Sequence, residues 1–111
     1  MVTATGVAGA AVTLTLPGVS LLFHRIVSLE IEAYTTAART GGTTPVLVTS
    51  TNLPGSPIWT FATAAAVGTT DTKFYNFPYS LVASASNTNT TIVCPATTSV
   101  IWRVNVVYYN L

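Results

Sequence analysis

Three stretches of the chain alternate between apolar and polar residues with the two-residue period of a half-buried strand. In AVTLTL, Val12, Leu14 and Leu16 point one way while Thr13 and Thr15 point the other. In FHRIVSLEIEAYT, Val27, Leu29, Ile31 and Ala33 share a face, and Ser28, Glu30, Glu32 and Tyr34 take the opposite one. In SVIWRVNVVYYNL, Val100, Trp102, Val104, Val106 and Tyr108 form an unbroken apolar face, backed by the mixed set Ile101, Arg103, Asn105, Val107 and Tyr109. A slip of one residue would bury Glu30 and Arg103, so these registers are well specified.

Breakers fall between the apolar runs at short intervals: Pro17-Gly18, Gly41-Gly42, Pro54-Gly55, Gly68, Pro78, Asn87 to Asn89, and Pro95. Threonine, valine, isoleucine and aromatics dominate what lies between, and these side chains suit a pleated sheet better than a helix. The pattern predicts strands near 11–16, 22–35, 45–50, 57–63, 72–76, 79–84, 90–94 and 99–109, with ATAAAV (62–67) open to a short helical turn. Residues 1–9, MVTATGVAG, show no such periodicity and read as a flexible N-terminal arm ahead of a single domain over 10–111. About eight antiparallel strands in this length predict an all-β sandwich of jelly-roll type, with an immunoglobulin-like topology as the alternative.

Composition changes this picture through charge. The apolar share, 50%, is ordinary, but charged residues make up 6% of the chain where about 25% is usual. Arg25, Arg39, Lys73, Arg103, Glu30, Glu32 and Asp71 are the whole set, and the net charge is +1. The folded surface expected for this mass is roughly 5,800 Å², which leaves about one charge per 800 Å², the area one partner gives to a standard interface. The polar surface must come from the 21 threonines with serine and asparagine. Such a surface is poorly protected against association and suits a protein that works packed against neighbours.

The same balance, with no basic cluster, argues against a nucleic-acid partner. No run approaches 18 apolar residues, so no spanning helix is expected; short, Pro-broken strands argue against a small outer-membrane barrel. The first residues carry no basic n-region, so no signal peptide is expected. The single Cys94 is expected to be a small buried hydrophobe before Pro95.

Candidate chemistry is sparse. The single histidine, His24, stands beside Arg25 in a predicted strand with no nucleophile elbow anywhere, and is expected at an edge or interface rather than as a general base. Glu30 and Glu32 project from one face, the minimum for a glycosidase-like carboxylate pair. The same spacing also makes the ordinary outward face of a sheet, with Arg103 or Arg25 as ion-pair partners. No catalytic residue, cofactor site or metal site is assigned, because the ligand types and spacings are missing. Trp59, Phe61, Trp102 and Tyr108 alternate as core aromatics do. KFYNFPY carries aromatics on both faces beside Pro78, so some are expected at the surface. A carbohydrate- or receptor-binding module would need an exposed aromatic pair.

With TSTNLPGSPIW in its middle and IWRVNVVYY near its end, this Thr/Ala/Gly-rich, helix-poor chain resembles small structural proteins of tailed bacteriophages. Among these it is most similar to head decoration (cement) proteins, with tail or fibre components close behind. The resemblance implies a non-enzymatic β-sandwich subunit, often trimeric, made in the host cytoplasm and assembled onto the virion. Its partners would be the major capsid protein or other virion proteins and its own copies. Exposure logic selects the contact candidates: Val2, Thr3, Thr5 and Val7 in the arm, Asn52, Leu53 and Ile58 in the 52–58 turn, and Tyr75 and Tyr79.

Overall fold

A computed structural model describes all residues, Met1–Leu111. Eight strands and no helix make up the chain: β1 (Val2–Thr5), β2 (Val12–Leu16), β3 (His24–Thr35), β4 (Val46–Thr51), β5 (Trp59–Phe61), β6 (Thr70–Val82), β7 (Thr90–Cys94) and β8 (Val100–Asn110). They form two four-stranded antiparallel sheets, one in the order β1-β8-β3-β6 and the other β2-β7-β4-β5. The pairs β1–β8, β2–β7, β3–β6 and β4–β5 are nested, as if one long hairpin had been rolled so that successive pairs alternate between sheets. That is the jelly-roll path predicted from the strand count. The accessible surface, 5820 Å², matches the value expected for the mass.

The alternation places the core between the sheets. Ile26, Leu29, Ile31, Ala33, Val100, Trp102, Val104 and Val106 from the first sheet meet Val12, Leu14, Leu16, Val48, Trp59, Phe61, Ile92 and Cys94 from the second. Trp102 is the largest fully buried side chain. Its ring meets Phe61 edge-on at 5.0 Å between centroids, and its Nε1–H donates to the Pro95 carbonyl at 2.9 Å. The indole thus buries its area without an orphaned donor. At the Pro17-Gly18 turn the chain passes so close to the 87–89 loop that a Cβ on Gly18 would lie 2.5 Å from the Thr88 nitrogen. Only glycine fits there, and its N–H donates to Asn89 Oδ1.

Four expectations are corrected. Residues 1–9 contain a strand: Val2–Thr5 pairs with β8 at Val106 to Arg103, and Val2 and Ala4 pack against the core. Val27 does not share the inner face of Leu29. The register against β8 shifts between Ile26 and Ser28, so Val27 is the extra residue of a bulge and Ile26 takes the buried place. The strands expected at 72–76 and 79–84 are one edge strand, β6, interrupted where Phe77 to Ser80 have no partners on β3. Pro78 lacks an N–H and Ser80 has φ of +53°, so the interruption falls where an edge strand tolerates it. Residues 62–67 are not helical; Ala65 bridges to Arg39 instead.

Two predictions follow from the packing. Trp102→Ala should cost about 3–5 kcal/mol, read as a lower urea midpoint at unchanged slope, whereas the exposed Thr49→Ala should stay within about 0.5 kcal/mol. Burial pushes the Cys94 thiol up from 9.0 to about 12. Between those values the unfolded chain has lost a proton that the folded chain keeps, so Cys94 makes stability fall as pH rises through that window. Urea unfolding of the native chain and Cys94→Ala across it should show the native chain losing the steeper share.

Candidate interaction surface

His24, the one conceivable general base, opens β3 with its ring buried among protein groups rather than at an edge or interface as expected. Nε2 lies 2.8 Å from the Pro17 carbonyl, which can only accept, so Nε2 carries the hydrogen. Nδ1 lies 2.7 Å from Thr90 Oγ1, and Thr90 Oγ1 in turn receives Asn52 Nδ2–H at 3.0 Å. This chain Asn52–Thr90–His24–Pro17 pins the 17–24, 52 and 90 segments together. Both ring nitrogens are engaged in it.

Glu30 and Glu32 lie on the outer face of the first sheet, each opposite a polar residue of β8. Glu30 Oε1 accepts from Asn105 Nδ2 at 3.0 Å, and Asn105 Oδ1 accepts from Thr3 Oγ1 at 2.8 Å. Glu32 faces Arg103 at 4.0 Å, the one ion pair in the chain and a solvent-exposed one. An exposed pair of this kind contributes little. The two carboxylates belong to a polar cross-strand ladder, with no wall closing over them.

A cavity of about 200 Å³ opens at the end of the sandwich where β3 finishes and β6 begins, lined among others by Thr35, Arg39, Phe61, Ala65, Asp71 and Trp102. Arg39 reaches the Ala62 carbonyl and Thr35 Oγ1 only at 3.4 Å, and its Nε has no partner. The volume is below that of an ordinary small-molecule site, and Phe61 and Trp102 form its floor as core residues.

The surface candidates divide. Thr3 and Thr5 point outward from β1, Val2 is half-buried, and Val7, 73% exposed, stands free beyond the strand. In the 52–58 turn, Ile58 is exposed but Leu53 is 2% exposed and belongs to the core. A hydrophobic residue in a Pro/Gly turn looked like a contact, but it folds inward to close the sandwich end. Asn52, at φ +59°, is also committed internally: its amide donates to Ala85 O and Thr90 Oγ1 and its Oδ1 accepts Ala85 N–H. Tyr79 is 94% exposed on the Phe77–Ser80 interruption, and Tyr75 stands partly exposed against Trp59 and Phe77. Trp59 and Trp102 both face the core, so an aromatic platform would have to draw on the exposed Tyr34, Phe74, Tyr75, Tyr79 and Tyr109.

The feature that single-residue reasoning missed is a segregation of charge. Arg25, Glu30, Glu32 and Arg103 lie on the first sheet's outer face, Asp71 and Lys73 on its β6 edge, and Arg39 in the β3–β4 loop. The outer face of the second sheet presents Thr13, Thr15, Leu47, Thr49, Thr51, Thr60, Thr91 and Val93, with no charge at all. The segregation exists only at the level of the sheets, because each face gathers strands from distant parts of the chain.

Replacing His24 with Ala should leave the Pro17 carbonyl and the Thr90 hydroxyl short of partners and cost about 1–3 kcal/mol. The 17–24 and 87–90 loops should then exchange amide hydrogen faster while the β3–β8 core stays protected. No protein-family model matches this chain, no curated protein matches it, and no solved structure matches it.

Proposed function

We propose that the chain is a non-catalytic structural subunit of a virion, a decoration or cement protein that sits on a capsid and bridges its major subunits. The observation that carries this reading is the uncharged outer face of the second sheet. Seating a charged face on a partner requires desolvating each charge and matching it with an opposite one. A threonine face asks only that short hydroxyls find neighbours. Thr51 and Thr91 already do so across the strands, at 2.7 Å between Oγ1 atoms. Leu47 and Val93 add apolar contact to the same face.

On a lattice the contact would be repeated many times. A subunit touching two capsomers at once converts two weak contacts into one tight attachment by effective concentration, and so resists their separation. The exposed Val7 and Ile58 lie outside the ladder-bonded framework and are free to add to such contacts. The net charge of +1 gives no grip on packaged nucleic acid, which fits a position outside the shell.

The test is co-sedimentation of the purified protein with capsids assembled without it. Saturable binding at a fixed copy number is expected, with Thr49→Lys or Thr91→Lys weakening it about tenfold or more while Thr3→Lys on the other sheet has little effect. Absence of binding would overturn the decoration reading. Binding indifferent to the lysines would remove the second sheet as the seating face. Specific retention on a glycan array instead would move the protein to the carbohydrate- or receptor-binding class.

A further inference from the structure

Strand β6 is the outer strand of its sheet, and its free edge is self-complementary. In an antiparallel ladder alternate residues bond to one neighbour and the rest face away. Thr35 N–H donates to Thr69 O at 2.9 Å, and the register continues Ala33–Asp71, Ile31–Lys73, Leu29–Tyr75. The odd-numbered residues of this stretch are thus bonded to β3. Thr70, Thr72 and Phe74 direct their N–H and C=O groups out of the sheet, with no strand beside them.

Edges of this kind are usually blunted, and an edge lysine is one way of doing so. Here Lys73 has a counterpart two residues away on the same side, Asp71. Neither has an ionic partner within the chain: the one ion pair is Arg103–Glu32, and the Lys73 ammonium lies only over the Phe61 ring, 4.8 Å from its centroid.

We propose that two copies of the chain pair antiparallel along β6 about a two-fold axis at Thr72, joining their sheets into one continuous sheet. The axis passes through a hydrogen-bonded Thr72–Thr72 pair and sets Thr70 against Phe74 of the second copy, for about six backbone hydrogen bonds. Asp71 of each copy then falls opposite Lys73 of the other, at the non-hydrogen-bonded positions where side chains approach most closely. Shifting the axis to Phe74 would set Lys73 against Tyr75, and shifting it to Thr70 would set Asp71 against Thr69. Centring it on Asp71 or on Lys73 would keep outward groups paired, Thr70 with Thr72 or Thr72 with Phe74, but would set like charges against each other. The Thr72 register alone satisfies both backbone and charge. It also brings Val67, 65% exposed, to the Phe77–Ser80 interruption of the second copy, where Tyr79 stands almost fully exposed.

The pairing rests on β6 alone and not on the capsid reading, so its test uses the free protein. Sedimentation equilibrium of the full chain over a concentration series should show a reversible dimer, where the phage resemblance implied a trimer. Lys73→Asp should weaken it about tenfold or more by placing two carboxylates together. Adding Asp71→Lys to that variant should restore it, which a merely structural loss would not permit. Thr72→Cys in a Cys94→Ala background should give a disulfide dimer on mild oxidation, since a bonded pair lies about 5.5 Å apart between Cα atoms. Thr3→Cys on β1, the opposite edge of the same sheet, should not. A monomer throughout the series, a dimer indifferent to Lys73→Asp, or a trimer unaffected by it would each overturn the proposal.

Discussion

The pairing of β3 with β8 along their whole length is the constraint from which the rest of the molecule is built. These are long, central strands of one sheet, and their inner faces supply eight of the core side chains, Trp102 among them. Once they are paired, β1 and β6 have edges to add to, and the inner face needs a cover. The second sheet is that cover. Its strands are short, three to six residues, and carry few residues beyond those that meet the core. Because the partners in every nested pair except β4–β5 are far apart in sequence, little of this order is local. The chain must close long loops before the contacts stabilise it.

Charge placement follows from the same division. A strand in the larger sheet has outward positions where the opposite strand offers a partner, and Glu30 with Asn105 and Glu32 with Arg103 use them. In the cover sheet the outward positions, Leu47 and Val93 apart, are threonine, a β-branched residue whose methyl suits a pleated surface and whose hydroxyl keeps it wet. The two faces are therefore different solvents for a partner: one presents a polar ladder engaged with itself beside the exposed Tyr34, Phe74, Val107 and Tyr109, the other an uncharged field dominated by threonine hydroxyl and methyl groups.

What was legible in the sequence was whatever depends on alternation. The strands at 12–16, 24–35 and 100–110 lay where the period predicted them, with Trp102 in the core, and those at 46–51, 59–61 and 90–94 lay close to where β-forming residues between breakers placed them. The errors share one physical origin, the absence of a period-two signal for an irregularity. A bulge at Val27 exchanges one apolar residue for another, Ile26, and leaves no trace in the pattern. VTAT is too short and its side chains too small to announce β1, which gains its order from the β8 edge beside it. Pro78 looked like a strand end because proline ends central strands, but β6 lies at an edge and absorbs it. Leu53 and His24 were misplaced for a related reason: their burial is decided by loops that cross the sandwich end, and no local pattern encodes where those loops meet.

The site was less legible than the fold because it is a property of a surface and not of a motif. No residue of the second sheet's face is unusual by itself; the absence of charge becomes information only when four strands from different parts of the chain are laid side by side. The β6 edge behaves similarly. Asp71 and Lys73 are only two members of a short list of charges until the ladder shows which neighbour each backbone group serves. Their spacing of two residues then acquires a meaning that depends on the strand being unpaired. A buried strand with the same sequence would have its outward groups satisfied, and the same charges would offer a second copy nothing to pair with. Strand order thus sets both the uncharged face and the free edge.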